Sequence, residues 1–424
     1  MSGRSDGRLR LRSTPAALVL GGGGARAAYQ VGVLKAIAEM LRDGRRGLDP
    51  GLAQGHNPFP ILVGASAGAI NAAALAAGAG NFQDAVERMV RIWENFHAEQ
   101  VYRSDFFGVL RSGARWLSLL SLGWLLRRSL RARPRSLLDN TPLRELLERE
   151  IRFADIGRSL EHGHLQALAV CASSYSSGRH VTFYESLVDR EIADKYQRIS
   201  VRARIGIDHL LASSAIPFVF PAVAIDLHDP GKGGLEHFGD GAMRQLSPVS
   251  PAIHLGAERI LAIGVGQAGN PGVLPGFDPV AYPSLAQVAG HALSTIFLDA
   301  IVTDAERLEK MNQVASTLTE HERRASNLRI IEFLMISPSE RLDAIAARYL
   351  TSLPGPVRVL LESLGTYQSS GAGLASYLLF ESKYTRALID LGHSDALARR
   401  DQVMAFLAEP GEEHAGTGQR VVVL

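Results

Sequence analysis

A single cysteine in 424 residues, Cys171, leaves this chain no internal disulfide to fold around. Such sparing use of cysteine fits a reducing compartment. Long apolar runs are missing as well. The longest, Trp116 to Leu126, falls well short of the roughly 20 residues that cross hydrocarbon. The run Ala16 to Leu20, behind Arg4, Arg8, Arg10 and Arg12, is shorter than the about 7–15 apolar residues of a secretory signal. These absences predict a cytoplasmic chain, soluble or held at the cytoplasmic face of a membrane and not integral to it. A net charge of only +2, without any nucleic-acid-binding module, argues against nucleic acid as a partner. What remains is 46% hydrophobic and 21% charged, the balance of a globular protein rather than a disordered one.

Apolar periodicity alternates between strand and helix. Ala16–Leu20 reads as a buried strand, Gly21–Gly24 as a loop, and Val31, Leu34, Ala38 and Leu41 recur at helix spacing. Asp43–Pro60, rich in Gly, Pro and Asp, reads as a loop. Ile61–Val63 predicts a second buried strand, followed by helices over Ala69–Ala77 and Phe82–Phe96. Further strands are expected at Leu165–Ala172, His180–Tyr184, Arg259–Val265 and Leu328–Ile336. Helices are expected at Asp208–Ala215, Ser284–Leu318, 340–364 and 372–406, and a loop at Gly231–Gly234. Strands alternating with helices predict an α/β fold, a mainly parallel sheet covered on both faces. The expected layout is one domain over 14–406, mostly helical beyond 265. It carries an insertion at 98–140 and flexible ends at 1–13 and 407–424.

Three segments carry chemistry. Gly64-Ala65-Ser66-Ala67-Gly68 matches the G-x-S-x-G nucleophile elbow. There a serine sits on a strained strand-to-helix turn, with glycines leaving room on both sides, at the positive end of a helix. The loop Gly21-Gly22-Gly23-Gly24-Ala25-Arg26 stands between a strand and a helix. Several backbone N–H groups can converge there on one anion, such as the oxyanion of acyl transfer. The same loop fits the dinucleotide pattern G-x-G-x-x-A. That reading also needs an acidic residue ending the second strand, and Asp43 falls instead in a turn-like Asp-Gly-Arg-Arg-Gly. Gly239-Asp240-Gly241-Ala242 supplies a carboxylate on a tight turn, able to take a proton from a serine nucleophile.

In this order the three segments resemble the patatin-like phospholipase family: a glycine-rich oxyanion loop, then G-x-S-x-G, then D-G-A/G. Ala212-Ser213-Ser214-Ala215-Ile216-Pro217-Phe218-Val219-Phe220-Pro221 is a fourth matching stretch, and Tyr377 to His393 is similar to bacterial members. The resemblance implies a three-layer α/β/α domain and a lipid acyl hydrolase, acting on phospholipid or another lipid ester. It implies a Ser66–Asp240 dyad with no catalytic histidine, no metal and no cofactor. Gly64 and Gly68 frame the elbow, and Gly241 and Ala242 complete the aspartate turn. The oxyanion hole falls to Gly22, Gly23, Gly24, Ala25 and Arg26, the arginine steadying the loop or attracting an anionic head group. The family has Gly where this chain has Ala27, a position free of strain if it already lies in the helix.

Two rivals stand against this reading. A Ser-His-Asp α/β-hydrolase could recruit His254, His291 or His393, all of which follow Asp240 in the chain. Several strands usually precede its elbow, however, and only one strand–helix unit does here. The other rival is a catalytically silent membrane-binding or regulatory module, which has no need of both Ser66 and Asp240. Residues 103–135 carry eight arginines, among them Arg111, Arg115, Arg127, Arg128 and Arg131, against the single acid Asp105. Trp116, Trp124 and many leucines interleave with them, a composition suited to an anionic membrane surface. The alternative is a helical cap with its leucines packed on the core.

Overall fold

The structure, a computed structural model, describes residues 14–43, 55, 57–103, 136–188, 197–229, 233–245, 247–266, 288, 290–292, 294, 299–326, 328–363 and 372–407. Both expected flexible ends, apart from Leu407, and most of the expected insertion lie outside the described residues.

Strand β1 (Ala16–Leu20) is buried along its whole length. Because side chains alternate across a strand, Leu18 and Leu20 enter one core while Ala17 and Val19 enter another on the opposite face. A helical turn over Gly24–Ala27 leads into α1 (Ala28–Asp43). Next, β2 (Ile61–Ala65) is joined to α2 (Ala67–Ala77) by Ser66 alone. Asn81 caps α3 (Phe82–Glu94) by accepting the Asp84 N–H. Helix α3 folds back along α2, so that Trp93 reaches Asn71. The chain continues through α4 (Thr141–Glu150), α5 (Phe153–Glu161), β3 (Ala167–Ser174), β4 (His180–Ser186), β5 (Arg198–Arg202) and α6 (Ile207–Ser213). Then come β6 (Val223–Asp229), β7 (Gly233–Asp240), α7 (Ser250–His254), β8 (Arg259–Ile263) and α8 (Asp299–Thr317). The last described elements are α9 (Glu320–Ala325), β9 (Glu332–Ile336), α10 (Leu342–Ala347), α11 (Gly355–Ser363), α12 (Ala372–Leu378), α13 (Ser382–Ala398) and α14 (Arg400–Leu407).

The sheet runs β5-β4-β3-β2-β1-β8-β9. Every pair along this path is parallel except β3 with β4. One core packs α1, α2, α3 and α13 against the sheet, and the other packs α7 and α8. The result is the expected mostly parallel sheet between helical layers.

The ribbon formed by β6 and β7 was not expected from the sequence. It does carry a period-two signal, with Ile225 and Leu227 buried on one strand and Glu236 and Phe238 on the other. Glycine and aspartate break that signal into pieces shorter than a confident strand. β7 pairs antiparallel with the end of β3, with Asp240 opposite Ala172.

Candidate active site

The site is assembled along one edge of β3. Strand β2 pairs with that edge up to Ala65 opposite Cys171. Where β2 ends, β7 takes over, with Asp240 opposite Ala172. Ser66 leaves the sheet immediately after Ala65, so adjacent positions on β3 bring together residues 174 apart in sequence. The Ser66 hydroxyl donates to Asp240 Oδ2 at 2.6 Å.

Ser66 takes φ 55° and ψ −133°, a region that side chains disfavour at about 1–3 kcal/mol. Packing holds it there. A Cβ on Gly68 would stand 2.3 Å from the Leu20 carbonyl oxygen, so only glycine lets α2 lie this close to the end of β1. Ser66 is also tied down from below. Its backbone N–H donates to Ser213 Oγ at 2.9 Å, and the Ser213 hydroxyl donates to the Cys171 carbonyl at 2.6 Å. Two residues on, the Ala215 carbonyl accepts the Asp240 N–H at 3.0 Å. Residues 213–215 therefore clasp Ser66, the central strand and the carboxylate together.

Asp240 is fully buried. Burial pushes its pKa from 3.8 up to about 7, against the opposing pull of the hydrogen bonds from Ser66 and from the Ala242 N–H. The Ala242 bond, 2.9 Å to Oδ1, fixes the carboxylate so that Oδ2 faces Ser66. A Cβ on Gly241 would stand 2.0 Å from the Cys171 carbonyl oxygen, so the turn lies tight against β3. A buried carboxylate near pH 7 in reach of a serine hydroxyl is suited to accept its proton.

Facing the serine is the glycine loop. The Gln30 amide holds the Gly21 carbonyl at 2.8 Å, and the Gly21 N–H reaches the Ile263 carbonyl. Gly24, at φ +54°, lies so near the Tyr377 carbonyl that a Cβ would stand 2.3 Å from it. Gly24 and Ser66 line the same cavity. Gly22, Gly23 and Ala25 are buried in the same loop. Arg26 is buried and turned away from solvent. It donates to Ser376 Oγ at 2.8 Å and stacks over the Tyr377 ring at 4.1 Å. Of its two expected roles, this geometry fits steadying the loop. Ala27 closes the helical turn before α1 and has no left-handed φ, so alanine is unstrained there.

Beside Ser66 opens a cavity walled mainly by α2, α3 and α4. Among the described residues, no group of three or more His, Cys, Asp or Glu could hold a metal ion, and no helix is long and apolar enough to cross a membrane.

A family model described as patatin-like phospholipase matches residues 18–253, more than half of the chain. The chain belongs to the patatin-like phospholipase family. That membership makes it a lipid acyl hydrolase by family. No curated protein matches it significantly. Among solved structures, VipD from Legionella pneumophila is 14% identical, with 92% of this chain and 71% of that one covered and a TM-score of 0.27. ExoU of Pseudomonas aeruginosa, solved in complex with SpcU, is 20% identical over 41% of this chain and 35% of that one, with a TM-score of 0.21. A separate structure of the type III effector ExoU is 17% identical, covering 94% and 90% of the two chains, with a TM-score of 0.23. Identities and scores this low support neither an activity nor a partner for this patatin-like chain.

Several residues of the patatin-like site were not singled out by sequence reasoning. Ser213 lies in a stretch that resembles the family, but nothing local reveals that its hydroxyl serves the Ser66 N–H. Tyr175, half exposed, lays its ring on Gly239. Burial, and then the charge of Asp240, raise its pKa. Two of the histidines that a rival triad could recruit engage elsewhere: His254 Nδ1 meets the Ser250 carbonyl and His393 Nε2 meets Glu39. Arg111, Arg115, Trp116, Trp124, Arg127, Arg128 and Arg131 lie outside the described residues.

Proposed function

We propose that this chain hydrolyses the carboxyl esters of phospholipids through a Ser66–Asp240 dyad, with Ser66 as nucleophile and Asp240 as general base. The observation that carries the reading is the 2.6 Å bond from the strained serine hydroxyl to the buried carboxylate. Ser66 Oγ attacks the ester carbonyl carbon as its proton passes to Asp240 Oδ2. Charge develops on the carbonyl oxygen, and N–H groups of Gly23, Gly24 and Ala25 stabilise it. Collapse breaks the bond to the leaving alkoxide, which takes the proton from Asp240 and departs as the lysolipid. Water then attacks the acyl-serine and gives a proton to Asp240. A second collapse frees the fatty acid and returns the proton to Ser66 Oγ. One carboxylate alternates between base and acid because its pKa near 7 lets it exchange protons in both directions at neutral pH.

Peptide mapping after treatment with a fluorophosphonate tests the assignment. The label is expected on Ser66, and Ser66→Ala should lower turnover by about 10⁴-fold or more, as nucleophile removal does in other serine hydrolases. Label on Ser213 or Ser214 instead would overturn it.

A further inference from the structure

The cavity beside Ser66 has a direction. Ala67, Ile70, Asn71, Ala74 and Ala77 all line it, and their spacing places them on one face of α2 from its first residue to its last. That face is about 15 Å long at 1.5 Å per residue. One leaflet of a bilayer, half of about 30 Å of hydrocarbon, has the same depth.

The opposing walls are apolar. Met89 and Trp93 come from α3, and Leu143 and Leu147 from α4. Asn71, the polar liner on α2, has its groups engaged. Its amide donates to the Ala27 carbonyl and to Gln30 Oε1, and its oxygen accepts the Trp93 indole N–H. Two charged residues also line the cavity, Arg88 and Glu150. Arg88 is exposed and Glu150 half-buried. Arg88 sits one turn beyond Ala85 on α3, and Ala85 packs against Gly78 at the end of α2. Glu150 ends α4. The passage therefore leads from the reactive serine along apolar walls to a polar end. A phosphate head group would find no cation along α2, whereas a hydrocarbon chain finds the contacts it needs.

We propose that this channel receives the acyl chain of the scissile ester and that Ala74 and Ala77 set the chain length it accepts. The proposal rests on acylation of Ser66 and adds the substrate class. Ala74 stands about 12 Å and Ala77 about 16 Å along the helix from Ser66, so the two act as successive marks on a ruler. Both are alanines, half-buried, and a larger side chain at either fills the passage at its own depth.

The test is kcat/KM on monomeric p-nitrophenyl butyrate, octanoate and dodecanoate. For the wild type kcat/KM should climb by up to about fourfold per added methylene, the equivalent of about 0.8 kcal/mol for each buried CH₂. Ala74→Phe should cut the dodecanoate-to-butyrate ratio by at least tenfold, and the octanoate-to-butyrate ratio should fall too. Ala77→Phe should lower the first ratio and leave the second within twofold. A wild-type profile flat from butyrate to dodecanoate overturns the proposal without needing any variant. So do two well-folded variants that keep both ratios. Failure of the underlying dyad would show separately, as butyrate hydrolysis surviving in Ser66→Ala.

Discussion

Replacing Asp240 by Asn separates catalysis from stability in a way that this geometry alone demands. Asparagine fits the same space. Its Oδ1 can still accept the Ala242 N–H, and its Nδ2 can donate to Ser66 Oγ, reversing the 2.6 Å bond. The serine proton then has no acceptor, and turnover should fall by about 10³-fold or more, the scale of disabling a triad member. Stability should move the other way. In the wild type Asp240 keeps its proton up to about pH 7, whereas an exposed aspartate loses it near 3.8. Between those values the folded chain binds more protons than the unfolded one, so the wild type loses stability as pH rises from 3.8 to about 7 and levels off above it. At 1.36 kcal/mol per pKa unit this loss reaches up to about 4 kcal/mol. Asp240→Asn has no such loss. It should match the wild type most closely below pH 4 and exceed it above pH 7, read as urea midpoints at pH 4, 6 and 8. Wild-type kcat/KM should fall with pH below a midpoint near 7, to about a hundredth at pH 5. Replacing His254, His291 or His393 should cost less than about tenfold, near 1.4 kcal/mol. A stability gap between Asn variant and wild type that is no larger at pH 8 than at pH 4 would refute the buried-carboxylate account. A well-folded histidine variant as inactive as Asp240→Asn would refute the dyad.

Ser213→Ala removes the acceptor of the Ser66 N–H and a donor to the Cys171 carbonyl. It should cost about 1–3 kcal/mol of stability for groups left unpaired in the interior. It should also lower kcat about tenfold or more through misplacement of the nucleophile, with the pH midpoint unmoved. An unchanged kcat would show that the clasp is dispensable. Gly24→Ala forces a side chain onto the Tyr377 carbonyl at a left-handed φ. A destabilisation of about 1–3 kcal/mol with loss of kcat is expected, and wild-type melting and turnover would contradict it. Replacing Arg127, Arg128 and Arg131 with Gln should weaken binding to anionic vesicles at low salt, each arginine contributing about 1 kcal/mol, while hydrolysis of a short soluble ester survives. Vesicle binding equal to the wild type would leave that segment as a cap.

Ser66 and Asp240 were legible in the sequence because both sit on turns whose backbone demands show as glycines: Gly64 and Gly68 around one, Gly239 and Gly241 around the other. The central strands were legible as short apolar runs between turn residues. The contacts that make the site work were not. Arg26 finds Ser376 350 residues away, and its charge gave no sign of facing inward rather than toward a head group. Ser213 carries no local mark of its partner. Helices α2 and α3 were legible and α4 was not read at all, and periodicity tells only that a face is buried, not that two such faces stop short of touching and leave a channel. The β6–β7 ribbon went unread because its alternation is cut by Gly, Asp and Pro.

Two strands share one edge of β3 in succession, and this orders events in the making of the enzyme. The segment that builds β1, β2 and the elbow leaves the ribosome well before β7, whereas a domain folds as a unit. Until β7 is in place, no carboxylate stands beside Ser66. The proposed dyad needs the ribbon's three pairs Ala172–Asp240, Ser173–Gly239 and Ser174–Phe238, a long-range closure whose loop entropy must be met first. On that proposal, a chain made only as far as β6 would be inactive. In the finished protein, any local opening of the same ribbon would part Asp240 from Ser66 while leaving the parallel pairs of β1, β2 and β3 in place.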